Sequence, residues 1–151
     1  MSETLADVAR SWTALGREDP MWAALTDPRR SSKRWHRDEF LATGAAEVTA
    51  LMATLAQRGV PPTLGAALDF GCGPSRLTAA LALAGFDSVI GMDISQQMLA
   101  KAAELVTRPT VPIRPQPWDR ADWGREPQRR SCVHVSSAAT HASRPGSRLC
   151  P

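Results

Sequence analysis

The residues best equipped for chemistry lie in one stretch, Ala66-Ala-Leu-Asp-Phe-Gly-Cys-Gly-Pro-Ser-Arg-Leu-Thr78. There an apolar run ends beside a carboxylate, Asp69, and opens through Gly71 and Gly73 into a helical pattern. A second acid, Asp93, stands 24 positions later, where another apolar run, Ser88-Val-Ile-Gly-Met92, ends. Glycines at 71 and 73 let the main chain bend sharply and let a ligand approach it closely. A dinucleotide site would present a pyrophosphate to G-x-G-x-x-G with nothing negative nearby. Here Arg76 occupies the third glycine position of that pattern, and Asp69 would repel a phosphate while attracting a cationic head group. An acid at the end of the second run suits the hydroxyls of a ribose.

These side chains need strands to carry them and helices to cover those strands. Strand, tight turn and helix occur twice in succession, the opening of a parallel α/β sheet. The expected fold class is therefore α/β: a Rossmann-like parallel sheet, incomplete, with two strand-helix units legible. N-terminal helices precede it and a disordered C-terminal tail follows it. The boundaries fall at residues 1–62 for the helical region, 63–106 for the two units and 107–151 for the tail.

A ligand that combines an ammonium group, a ribose and no phosphate is S-adenosylmethionine. At these residues the chain resembles the class I S-adenosylmethionine-dependent methyltransferases. Their first motif, acidic-x-Gly-x-Gly-x-Gly, is matched by Asp69, Gly71 and Gly73, with Ser75 at the last glycine position, a departure expected to be mild because serine is small. Their second signature, an acid ending the second strand, falls on Asp93, and Asp93-Ile94-Ser95 with Met98-Leu99 resembles the usual continuation. The resemblance implies that Asp69 holds the methionine amino group through the loop and that Gly71 and Gly73 lie against the methionine portion. It also implies that Asp93 binds the ribose and that Ile94 borders the adenine. The glycines alone fit an ordinary strand-to-helix turn equally well, so the two acids at these offsets carry the ligand reading.

At 151 residues and 16.3 kDa the chain suffices for one domain with a real core. No apolar run approaches the ~20 residues that cross a bilayer, and the N-terminus has neither the basic start nor the hydrophobic stretch of a secretory signal, so a cytoplasmic location is expected. Three cysteines cannot all pair with one another, and Cys72 sits inside the glycine loop, which argues against a disulfide scaffold.

Residues 4–15 fit a helix capped by Thr4 and ended by Gly16; a short helix follows with Asp19 as cap and Pro20 first, stopped at Asp27-Pro28. The run Arg29-Arg-Ser-Ser-Lys-Arg-Trp-His-Arg37 is basic and expected at the surface, and a longer helix from Phe40 to Leu55 closes at Gly59. Arg76 to Ala84 and Gln96 to Val106 form the two helices of the α/β units. Trp12, Trp22 and Phe40 read first as core, while the resemblance implies an N-terminal lid that shapes the acceptor pocket, in which Trp22, Trp35 and Phe40 would serve. His36 has no partners that would make it a base or a ligand.

After Thr107 the local signals cease to agree. Residues 107–151 hold eight arginines against three acids, a charge of +5, whereas the first 106 hold ten basic and twelve acidic residues, −2. Seven of the twelve prolines lie in this tail, which reads as disordered, and Val111-Pro-Ile-Arg-Pro115 is a poor strand because proline removes ladder donors. The abrupt change is taken as a truncated or frame-shifted end of a methyltransferase, whose gene should then encode hydrophobic strands in another frame beyond codon 106. Asp119 or Asp122 would stand in for the family's acid after the third strand. Cys132, His134, His141 and Cys150 have irregular spacing for zinc, and no metal is expected. Arginines beside Trp118 and Trp123 suit a nucleic-acid arm, which is the less favoured account of a basic end.

The expected function is transfer of a methyl group from S-adenosylmethionine to an acceptor that no residue identifies, by a methyltransferase or an inactive fragment of one. The alternative is a non-catalytic nucleotide- or nucleic-acid-binding protein. No catalytic base can be named, no membrane partner is expected, and the oligomeric state is not legible.

Overall fold

Both strand-helix units form where the apolar periods change. In a computed structural model, residues 4–27, 35–60 and 63–106 are described in full, with two further strands, 113–117 and 132–136, described by their backbone. Strand β1 (Ala66–Phe70) leads through the glycine loop into α4 (Arg76–Leu83), and β2 (Ser88–Asp93) leads into α5 (Gln96–Leu105). Here α1 to α3 are the N-terminal helices, Leu5–Glu18, Pro20–Ala24 and Arg37–Gln57, while β3 is Ile113–Pro117 and β4 is Cys132–Ser136.

β1 and β2 pair in parallel with Asp69 opposite Gly91. β3 adds to β2 and β4 adds to β1, also in parallel, which makes the order β3-β2-β1-β4. The chain thus moves outward from β1 to β3 and returns on the other side of β1. In open α/β sheets ligands bind at the carboxyl ends of the strands beside such a reversal, here β1 and β4.

β3 and β4 extend the two legible units to a four-stranded parallel sheet, with strands in the segment that reads as disordered from its sequence. Pro115 and Pro117 are two positions apart, so their missing N–H groups belong to one side of the strand. Among the described residues β3 pairs with β2 alone and needs donors on only one side, so both prolines are tolerated. The rest of the tail, with Trp118, Asp119, Asp122, Trp123, His141 and Cys150, lies outside the described residues.

The core has two parts. Val48 of α3, Leu77, Ala80 and Leu81 of α4, Ala67 of β1 and Val89 of β2 pack together with Phe86 between sheet and helices. Trp35, Phe40 and Leu105 form the other cluster, against which Met21, Trp22 and Leu25 lean from the N-terminal side.

The N-terminal helices differ from expectation in instructive ways. Thr4 caps α1 in a reciprocal box with Asp7, and Asp19 with Pro20 starts α2, as predicted. Gly16 does not end α1, which continues to Glu18; it is buried, and a Cβ there would lie 3.1 Å from Gln97 Cβ and 3.3 Å from Ser95 Oγ. The glycine is a contact between α1 and the start of α5. Trp35 is likewise not a surface residue. It is buried, stacks edge-on to Phe40 at 6.2 Å and donates its indole N–H to the Leu25 carbonyl at 3.2 Å. Arg37 reaches the Leu105 carbonyl at 2.7 Å through Nη2, satisfying the C-terminal end of α5. Residues 29–34 of the basic run lie outside the described residues.

α3 is 21 residues long, with a mean hydropathy of 1.2 over its best window, enough by length and composition to cross a bilayer. This corrects the expectation that no such stretch exists. The helix also carries Glu47, 2.7 Å from Arg76 Nη1 of α4, and its Gly44 lies directly on the Arg76 backbone, so in this fold α3 packs on α4.

Candidate functional site

The site is built on the bend between β1 and α4. The N–H groups of Gly71 and Cys72 both donate to the Met92 carbonyl, at 2.8 and 2.9 Å, which fastens the loop to the end of β2. Gly71 and Gly73 have φ of 75° and 51°, the left-handed region that glycine enters without strain. Gly71 is exposed and Gly73 is buried; a Cβ on Gly73 would lie 3.6 Å from Ala24 Cβ at the end of α2. The end of the second helix therefore sits directly over the bend.

Ser75 shows what the third glycine of the motif is for. It has φ of 66°, the single non-glycine residue with positive φ among the described residues. Serine's small size is beside the point: the position demands a left-handed backbone, which costs a residue with a Cβ about 1–2 kcal/mol. Its hydroxyl is buried, with only the weakly bonding Cys72 thiol as a neighbouring partner.

Asp93 closes the loop from the other side. Its Oδ2 accepts the Gly73 N–H at 2.8 Å and its Oδ1 accepts the Ser95 N–H at 2.8 Å. Burial raises its proton affinity, while the backbone donors of Ser95, Gly73 and Ile94 act against that rise. Three backbone donors thus act on the four lone-pair sites of the carboxylate, and the residue is 9% exposed. Ile94, next in the chain, is half-buried.

Asp69 is fully buried. Thr78, in the first turns of α4, donates its hydroxyl to Asp69 Oδ2 at 2.6 Å, whereas Oδ1 has no partner among the described residues. Desolvation pushes the carboxyl up to about 6; Thr78 and the Arg76 charge oppose the rise, and the Asp93 charge adds to it. The Cys72 thiol is driven well above its ordinary value, first by burial and then by the Asp69 charge, so it remains a thiol.

Arg76 Nη1, 2.7 Å from Glu47 Oε2, forms an ion pair without an aligned hydrogen bond.

Of the five predicted site residues, Asp69, Gly71, Gly73 and Asp93 meet at this one loop, and Ile94 borders it on the β2 side. The sequence did not point to Thr78 or Gly91. Thr78 reads as one polar position in an alanine- and leucine-rich helix, and Gly91 as a member of an apolar run. The available signal was register, since two parallel strands in step bring Gly91 beside Asp69. Among the described residues no group of three or more His, Cys, Asp or Glu could hold a metal ion.

A sequence profile described as a methyltransferase domain matches residues 67–149, more than half of the chain. The chain belongs to the methyltransferase domain family. The matched segment begins one residue into β1, takes in the whole bend and both acids, and runs past residue 106 through β3 and β4. No protein of curated function matches the chain.

Solved structures similar to this methyltransferase domain include an S-adenosylmethionine-dependent methyltransferase from Clostridium acetobutylicum, 23% identical over 46% of this chain and 27% of that one, with a TM-score of 0.39. Another is magnesium protoporphyrin IX methyltransferase from Synechocystis with bound S-adenosylhomocysteine, 22% identical over 77% of this chain and 52% of that one, TM-score 0.48. A third is phosphoethanolamine N-methyltransferase 1 from Haemonchus contortus, in complex with phosphoethanolamine and S-adenosylhomocysteine. It is 16% identical over 78% of this chain and 22% of that one, with a TM-score of 0.46. The chain thus spans about a quarter to a half of the length of these proteins.

Proposed function

We propose that the chain binds S-adenosylmethionine at the bend after β1 and serves methyl transfer to an acceptor. One observation carries the reading beyond family membership: the Asp93 carboxylate at the end of β2 is bonded to the Gly73 N–H of the loop after β1, at 2.8 Å. Loop and acid are thereby a single cradle at the carboxyl edge of the sheet, beside the point where the strand order reverses.

The residues suit the ligand. The acceptor capacity that the three backbone donors leave on Asp93 suits a ribose hydroxyl, and the buried Oδ1 of Asp69 is an acceptor suited to an ammonium group. Gly71 leaves the main chain open to the methionine portion, and Ile94 supplies apolar surface for adenine. The N-terminal helices act as a lid, since Ala24 already lies over Gly73. When bound, the sulfonium supplies an activated methyl group for in-line attack by an O, N, C or S acceptor. The protein's part is to align acceptor and methyl and to keep water out, and no side chain is assigned as base. A cytoplasmic location fits the unpaired, buried Cys72 thiol inside the loop.

Calorimetric titration with S-adenosylmethionine and S-adenosylhomocysteine tests the proposal. Binding that falls by at least about tenfold in Asp93→Ala supports it. Tight binding of NAD with no response to S-adenosylmethionine would overturn it. Salt-sensitive retention of RNA, lost on deleting residues 107–151, would indicate the nucleic-acid alternative instead.

A further inference from the structure

Asp69 is an awkward residue to bury. It has no exposure, and one of its two oxygens is left without a donor. Buried acceptors normally find partners, because a missing one costs the desolvation of the group. Thr78 donates its hydroxyl to Oδ2 at 2.6 Å, its backbone N–H also acts on the carboxylate, more weakly, and the residue is itself fully buried. That bond fixes the rotation of the carboxylate and decides which oxygen remains open. The space for the bond depends on β2: a Cβ on Gly91 would lie 3.0 Å from Thr78 Oγ1, 3.2 Å from Thr78 Cγ2 and 3.2 Å from Cys72 Sγ. Gly91 is also the residue paired opposite Asp69. Three residues on β1, α4 and β2 are therefore arranged around one hydrogen bond.

We propose that Thr78 is a positioning residue for the ligand's cationic head group: its hydroxyl, in the clearance that Gly91 leaves, holds the Asp69 carboxylate with Oδ1 presented to an ammonium group. This rests on the function proposed above and adds to it a residue in α4 that never touches the ligand. The charged and titratable groups acting on Asp69 are Arg76 of α4, Cys72 of the loop and Asp93 at the end of β2, with Glu47 of α3 facing Arg76. Only Thr78 donates to the carboxylate among the hydrogen bonds of the described residues. Without that donor the carboxyl holds its proton more tightly, and a neutral carboxyl no longer attracts an ammonium.

The test uses the full chain and two probes: S-adenosylmethionine, and 5′-methylthioadenosine, which has the nucleoside and thioether but no ammonium head. Thr78→Val keeps the side-chain shape and removes the hydroxyl; it should weaken S-adenosylmethionine by at least about tenfold and leave methylthioadenosine unchanged. Thr78→Ser should restore the lost affinity. The wild type should lose S-adenosylmethionine affinity, but not methylthioadenosine affinity, as pH falls through about 6, the range to which Asp69 is raised. Should Thr78→Val not fold, Thr78→Ala takes its place and must show the same selective loss of S-adenosylmethionine. A wild-type preference between the probes that is independent of pH, or a Thr78→Val variant that weakens both equally or neither, overturns the inference alone. A wild type that binds no S-adenosylmethionine overturns the proposed function and this inference with it.

Discussion

Gly73 and Asp93, twenty positions apart, are joined by a 2.8 Å hydrogen bond from the glycine N–H to the carboxylate Oδ2. The other oxygen of the same carboxylate takes the Ser95 N–H, so this one side chain ties the glycine loop to the start of α5. Asparagine cannot replace it. An amide offers one acceptor oxygen and turns an N–H₂ donor toward the remaining backbone N–H. Asp93→Asn should therefore destabilise the fold by about 1–3 kcal/mol, read as a lower urea midpoint with an unchanged slope. A midpoint equal to that of the wild type would show that the carboxylate does not hold the loop.

Ser75 stands at φ 66° with a buried hydroxyl that has only the weakly bonding Cys72 thiol beside it, so its strained backbone and its poorly satisfied oxygen both work against the fold. Ser75→Gly relieves both, at the expense of a more flexible unfolded chain. The net gain should be about 1 kcal/mol, a rise in Tm of about 2–4 °C. A lower Tm would mean that the hydroxyl has a role the strain argument overlooks.

The sequence made the two strand-helix units, their caps and the meeting of Asp69, Gly71, Gly73 and Asp93 legible, because period and glycine placement are local signals. What it concealed depends on neighbours distant in the chain. Gly16 reads as a helix stop and is a helix-helix contact; Trp35 reads as part of a charged surface run and is core. Pro115 and Pro117 argue against a strand until the strand is known to lie at an edge. Thr78 and Gly91 acquire meaning only once register sets Gly91 beside Asp69. At Ser75 the controlling property is the backbone angle, which the volume of the side chain does not reveal.

Gly44 tests the packing that positions α4 behind the site. A glycine in a helix interior normally invites replacement by alanine, with a gain of about 1 kcal/mol. Here a Cβ would lie 2.7 Å from the Arg76 carbonyl carbon and 3.3 Å from Arg76 Cβ, so α3 and α4 would have to separate. Backbone cannot yield as a flexible side chain can. Gly44→Ala should therefore lower stability by about 1–3 kcal/mol in chemical denaturation. A stabilised variant would contradict the close approach of the two helices.

Asp69 gives the fold an unusual response to pH. Its carboxyl is raised from 3.8 to about 6 in the folded chain, chiefly by burial, so between those values the fold binds a proton that the unfolded chain has released. The sign follows directly. The protonated group fits the interior, and stability from this residue declines as pH rises from about 4, with the loss complete a little above 6, on the order of 2–3 kcal/mol in total. Asp93, also raised by burial, tilts stability in the same direction. Asp69→Asn has no proton to bind there, so its stability relative to the wild type should improve between pH 4.5 and 7.5. Thermal melts of both proteins at the two pH values measure that difference. A gap that stays constant would show that Asp69 is already ionised throughout the range, and that some donor reaches its second oxygen in the free protein.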